Sequence, residues 1–217
     1  MYYFAVPSLN QSEEDVISLI KTSLKNLQTD YIDLYLIHWP GVSGLKSDHP
    51  DNSKYRQKTW KTLVKLHKEG LIRSIGVSNY LIKHLELLLK DCDGVVPAVN
   101  QVEWHPRNHS KELLQFCRDH KIFLQAYSSL GSSNYTTLRE DETIIKIAKK
   151  LNKTPAQVLL RYSFQQGIGI LPKASTEQRI DENFQLDFVI PQDDMNILSN
   201  LNCTDKFVAA WDPTVVS

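Results

Sequence analysis

Several things are scarce in this sequence. Of 217 residues only Cys92, Cys117 and Cys203 are cysteine. Their odd number, wide spacing and lack of any C-x-x-C pair argue against a disulfide framework or a thiolate zinc site. Charge of one sign is missing too: 25 Lys+Arg balance 25 Asp+Glu, which argues against holding nucleic acid or a membrane surface by bulk electrostatics. No apolar run approaches the roughly 18 residues of a membrane span. No G-x-G-x-x-G follows a strand. Gly167-Ile168-Gly169 is a lone pair at the start of the last strand, the wrong end for a dinucleotide fingerprint. The first residues, Met1 to Pro7, carry no basic stretch ahead of a long apolar one, so no secretory leader is read there. The expected compartment is the cytosol. The N-x-S/T triplets at Asn10, Asn108, Asn134, Asn152 and Asn202 then read as chance.

What is present is an ordinary globular composition, 41% hydrophobic and 23% charged, in a chain long enough for one cored domain and short for two. Helical spacing of Val16, Leu19, Ile20, Leu24 and Leu27 predicts a helix from Ser12 to Leu27. Strands are expected at 31–37, 72–77, 97–102, 122–126 and 168–171. Helices are expected at 60–68, 81–90, 111–120, 142–151, 155–165, 177–184 and 193–201. Alternating strands and helices, with no run of adjacent strands, imply βαβ units and a parallel sheet. Two connections, 41–57 and 129–141, are long, polar and follow strands, the mark of functional loops.

Polar or aromatic groups recur just past strand after strand. His38 follows YLI, Ser78-Asn79 follow SIGV, Gln101 and Glu103 close the next, Tyr127-Ser128 follow LQA, and Lys173 with Ser175 follow GILP. That placement suits a (β/α)8 barrel, whose active site lies at the C-terminal ends of its strands. Strand parity puts Ile32, Leu34 and Leu36 on one face below His38, as a barrel lumen would.

At these residues the sequence resembles the aldo-keto reductases. The stretches are DYIDLYLIHWP (30–40), IGVSNY (75–80), VNQVEWHP (99–106), AYSSLG (126–131) and PKAST (172–176) followed by Arg179, Glu182 and Asn183. The resemblance implies an α/β (β/α)8 barrel and an NADPH-dependent reduction of aldehydes or ketones to alcohols. It places His38 as the residue that orients the carbonyl and Trp39 as the wall beside it. Ser78, Asn79 and Gln101 match the carboxamide site, and Tyr127 the ring stacking on the nicotinamide. Leu130 and Ser132 match the pyrophosphate loop. Lys173, Ser175, Thr176 and Arg179 match the 2′-phosphate site, with Glu182 and Asn183 by the adenine. A 2′-phosphate suits two cations with hydroxyls at a helix start, and a carboxamide suits an amide and hydroxyl fork.

The same resemblance marks a deficit. The barrel ordinarily takes about 250 residues; the family's Asp and catalytic Tyr have no match, and Ala5 stands where its Lys is expected. The expected fold is therefore a single partial barrel domain over 1–217, without the first two strands and most or all of the third, and with impaired catalysis. Complete, it would be a monomer; the open seam invites self-association. The alternative is a non-enzymatic, NADPH-binding regulatory protein. Tyr2 and Tyr3 fall on the wrong element to replace the acid. Other readings are structural: Glu103 as a buried acid, Ser78-Asn79 as a helix N-cap, Cys117 as core. Pro106 breaks any shared helical face of His105 and His109, so no metal site is expected.

Overall fold

The computed structural model describes residues 12–131, 138–201 and 212–217, with the backbone of 3–6. Tyr2, Ser132, Cys203 and the triplets starting at Asn10, Asn134 and Asn202 lie outside them. The strands are β1 (Tyr3–Val6), β2 (Ile32–Ile37), β3 (Ile72–Ser78), β4 (Val99–Glu103), β5 (Phe123–Tyr127) and β6 (Gly169–Ile170). The helices are α1 (Glu13–Leu27), α2 (Asp51–Lys68), α3 (Ile82–Lys90), α4 (Lys111–Asp119), α5 (Glu142–Lys150), α6 (Pro155–Phe164), α7 (Glu177–Phe184) and α8 (Gln192–Ser199), with a 3-10 turn at Pro213–Val215. Sheet order equals sequence order, β1 to β6, and the registered pairs are parallel. This is an incomplete (β/α)8 barrel with six strands among the described residues. None of the described helices is long and apolar enough to cross a membrane.

The chain divides into two compact units. The first comprises 1–101, 112–123 and 213–217. Its sheet is registered by Leu36 opposite Gly76 and Ser78 opposite Gln101. Leu34, Leu36 and Val99 form a buried cluster on one face, while Tyr35 and Ile37, on the other face of β2, are buried as well. A strand buried on both faces reads as the near-continuous apolar run seen here. Gly76 is fixed by crowding, because a Cβ there would lie 2.6 Å from Val99 O and 2.7 Å from Leu36 Cδ2.

Two elements differ from the sequence expectation. Strand β1 pairs in parallel with β2 over Tyr3–Val6, where most or all of that strand is expected to be missing. Helix α2 starts at Asp51 rather than near Trp60, so part of the 41–57 loop is helical. Its first turns, DNSKYRQK, carry no apolar stripe, yet Asn52 and Arg56 are buried. Asn52 Oδ1 accepts from Val42 N at 2.9 Å, and its Nδ2 donates to Lys46 O and Ser47 O. Arg56 Nη1 donates to Pro40 O at 2.8 Å. The loop folds back on these polar groups, which stabilises the helix without hydrophobic periodicity.

The second unit comprises 102–111 and 124–212. Helices α5 and α6 have good caps: Asp141 accepts from Thr143 N and Ile144 N, and Thr154 forms a capping box with Gln157. Such caps contribute about 1 kcal/mol each. Val158, Leu159, Leu160, Ile144, Ile168 and Leu198 are its core.

Candidate active site

In the first unit, the ends of β2, β3 and β4 bring four predicted residues into one hydrogen-bonded group. Ser78 Oγ donates to Gln101 O at 2.8 Å, and Asn79 N donates to the same oxygen at 2.8 Å. Asn79 Nδ2 donates to Ser78 Oγ at 3.1 Å and to His38 O at 3.0 Å. Asn79 sits at φ 64°, the left-handed region that Asn tolerates better than most residues. The N-cap of α3 is Leu81, so Ser78-Asn79 is no helix cap; the pair turns the chain at a strand end. Ser78, Asn79 and Gln101 are all buried. Ser78 gives its only proton to Gln101 O, so toward a ligand its hydroxyl can only accept. Asn100 pins the turn from behind, donating through Nδ2 to Tyr80 O at 2.9 Å.

His38 and Trp39 follow β2 and are half-buried. Burial lowers the His38 pKa, because a low-dielectric setting disfavours the imidazolium. Near neutral pH the ring is therefore neutral and can donate one hydrogen bond to a carbonyl oxygen.

In the second unit, Tyr127 ends β5 and is half-buried. Burial foremost, and then the charge of Glu103, raise its hydroxyl pKa, so it stays a neutral phenol. Glu103 is buried, as expected, and its Oε1 meets His105 Nε2 at 3.1 Å. A pocket of about 240 Å³ is lined by Leu130, Lys173, Arg179, Glu182 and Asn183, all predicted. Ser175 and Thr176 are not part of its lining. Thr176 instead caps α7, its Oγ1 accepting from Arg179 N at 3.3 Å. Ser132 lies outside the described residues.

Sequence reasoning missed Arg139 and Thr154, which line the same pocket. Arg139 lies in the 129–141 connection, whose length and polarity were the available signal. Its position is set by neighbours: Leu138 is buried, and Asp141 both caps α5 and pairs with Arg107. Thr154 donates its hydroxyl to Glu182 Oε1. Lys173, Arg179 and Arg139 thus give the pocket three cations against one carboxylate already engaged by a hydroxyl. Chemically it suits a phosphate. Among the described residues, no group of three or more His, Cys, Asp or Glu is placed to hold a metal.

Known proteins resemble this chain in sequence and fold. The sequence model described as "Aldo/keto reductase family" matches residues 6–202. The chain is 44% identical over 198 residues to glyoxal reductase of Bacillus subtilis (strain 168), covering 91% of this chain and 66% of that protein. It is 40% identical over 194 residues to 9,11-endoperoxide prostaglandin H2 reductase of Trypanosoma cruzi (strain CL Brener), covering 89% and 64%. The crystal structure of an aldo-keto reductase enzyme from a Medee basin deep-sea metagenome library matches with TM-score 0.84 and 34% identity, over 96% of this chain and 73% of that one. The chain spans just under two thirds of the length of these curated relatives. Strand-end chemistry, parallel sheet order and sequence likeness lead to one assignment. The chain belongs to the aldo/keto reductase family.

Proposed function

We propose that this chain carries an NADPH site and the carbonyl-orienting histidine of a reductase acting on small aldehydes and ketones. The residues fit the cofactor's chemistry at both ends. A 2′-phosphate needs cations and donors, and Lys173, Arg179 and Arg139 line one pocket with the start of α7 beside it. A carboxamide needs an acceptor and an amide partner, which Ser78, Asn79 and Gln101 provide. Bound NADPH would supply the hydride.

His38, neutral, would donate to the substrate carbonyl oxygen and orient it. Trp39 would wall the substrate beside it. Tyr127 would offer a flat apolar face to the nicotinamide ring. Leu130 would lie along the pyrophosphate, with Glu182 and Asn183 at the adenine. No residue of 1–217 matches the family's Tyr acid or its Asp, and Ala5 takes the Lys position. Turnover by these residues alone should therefore be lower by ~10²–10⁴-fold.

The observation that carries this reading is the joint tie of His38 O, Ser78, Asn79 and Gln101 at three successive strand ends. Such a group is costly to bury for structure alone, since each polar atom must be satisfied. The test is steady-state reduction of glyoxal by NADPH, followed by loss of nicotinamide absorbance. Slow turnover that falls further in His38→Phe supports the reading. Cofactor binding with no turnover at all would instead favour the non-enzymatic NADPH-binding alternative.

A further inference from the structure

In the second unit, helix α7 carries Arg179, Glu182 and Asn183 to the pocket, yet the fold buries little of it. None of the residues from Leu171 to Gln185 is buried. Its two large apolar side chains, Ile180 and Phe184, are 45% and 84% exposed. A helix of 8 residues is marginal by itself in water, so its placement has to come from polar ties.

Those ties come from the start of α6. Thr154 and Gln157 form the capping box of that helix: Gln157 N donates to Thr154 Oγ1 at 3.2 Å, and Thr154 N donates to Gln157 Oε1 at 3.0 Å. Both side chains then reach on to α7. Gln157 Nε2 donates to Glu182 O at 3.3 Å and to Gln185 O at 3.4 Å. Thr154 Oγ1 donates to Glu182 Oε1. Gln157 is 5% exposed, so its amide protons depend on those two carbonyl oxygens for satisfaction. A helix cap uses a threonine hydroxyl only as an acceptor. Here the hydroxyl proton is also used, in a charge-assisted bond to the carboxylate.

This fixes what Glu182 can offer a ligand. Its Oε1 is taken by Thr154, so Oε2 is the oxygen left to accept. A purine with an exocyclic amine presents a donor to such an oxygen. A purine with an oxo group in the same place presents a second acceptor, which the carboxylate repels.

We propose that Thr154 and Gln157 are positioning residues that hold Glu182 at the pocket, so that the capping box of α6 sets a preference for an aminopurine over an oxopurine. This rests on reading the pocket as the adenosine end of an NADPH site. Thr154 orients the carboxylate, and Gln157 fixes the backbone that carries it. Lys173 and Arg139 lie outside α7 and keep their hold on the phosphate when either tie is lost. The ties therefore govern the choice of base more than the recognition of charge.

The test measures the Kd of NADPH and of its hypoxanthine analogue by nicotinamide fluorescence, with amide hydrogen exchange of α6 and α7 followed by mass spectrometry. Three variants of the full chain are compared. Thr154→Asp keeps a good cap but has no proton for Glu182 and sets a like charge beside it. Gln157→Glu keeps the capping-box acceptor but loses the amide protons. Thr154→Ser keeps the hydroxyl. The unsubstituted chain should bind NADPH about tenfold tighter than the analogue. In Thr154→Asp and Gln157→Glu that ratio should fall to within about twofold, with α7 amides exchanging about tenfold faster and α6 amides unchanged. Thr154→Ser should keep both the ratio and the protection. The ratio is the deciding quantity, because repulsion of the phosphates by an added carboxylate weakens both nucleotides alike. An unchanged ratio in folded Thr154→Asp would overturn the proposal. So would equal affinities of the unsubstituted chain for the two nucleotides, or loss of protection in α6 together with α7. If the unsubstituted chain binds neither nucleotide, the functional reading fails, and exchange in α7 against α6 alone supports or overturns the positioning.

Discussion

The two units build binding chemistry by opposite means. In the first, polar groups at the ends of β2, β3 and β4 are buried and bonded to one another and to main chain, within about 3 Å. Their positions follow from strand register, so a change of a few tenths of an ångström matters. In the second, Lys173, Arg179 and Arg139 are exposed, long and cationic around an open pocket. Their contribution comes from charge, tolerates motion and is screened by salt. Orientation would come from the rigid end, and recognition of a charged group from the pliable one.

That contrast can be broken or sharpened by substitution. The largest effect is expected at Gly76→Ala, whose methyl would press on Val99 O at 2.6 Å. Backbone cannot yield as a side chain can, so a loss of about 3 kcal/mol or more is expected in urea unfolding. Acid should act nearly as strongly through His84, whose burial pushes its pKa down to about 4 from 6.5. Arg56 and Lys83, the cations near it, act in the same direction. The ring is neutral in both states above pH 6.5, where its full contribution is present. As pH falls toward 4 the unfolded chain takes up the proton first, and stability drops by up to about 3 kcal/mol. His84→Gln, whose amide can donate and accept but does not titrate, should flatten unfolding midpoints measured between pH 7 and pH 4.5.

Asn79→Ala loses the two hydrogen bonds of Nδ2 and puts alanine at φ 64°. The cost should be about 2–3 kcal/mol, and Asn79→Gly should recover the backbone part of it. In the second unit, Lys173→Ala and Arg179→Ala should each weaken NADPH binding about tenfold without unfolding the chain. Arg139→Ala should do so about threefold. Fluorescence titration at low and high salt would check these values, since screening should erode them.

Much of this was legible because it rests on period and order. The spacing of Val16, Ile20 and Leu24 gives α1, and polar residues after successive apolar runs give the strand-end site. The misses share one cause. The start of α2 carries DNSKYRQK, and apolar periodicity cannot see a helix whose buried residues are Asn52 and Arg56. Asn52 bonds to main chain of the preceding loop, and Arg56 Nη1 to Pro40 O and to Ser217 O, far away in sequence. Arg139 was hidden likewise, because a lone arginine in a long loop carries no periodic signal. Only folding sets it beside Lys173. Thr176 Oγ1 accepts from Arg179 N as the cap of α7, which leaves its proton for a phosphate.

The most direct test of the account compares the dissociation constants of NADPH and NADH for this chain, by nicotinamide fluorescence at low salt. The account predicts that NADPH binds at least tenfold tighter, and that Lys173→Ala combined with Arg179→Ala removes the preference while NADH binding persists. Equal affinities for the two cofactors, or no binding of either by a folded chain, would contradict it.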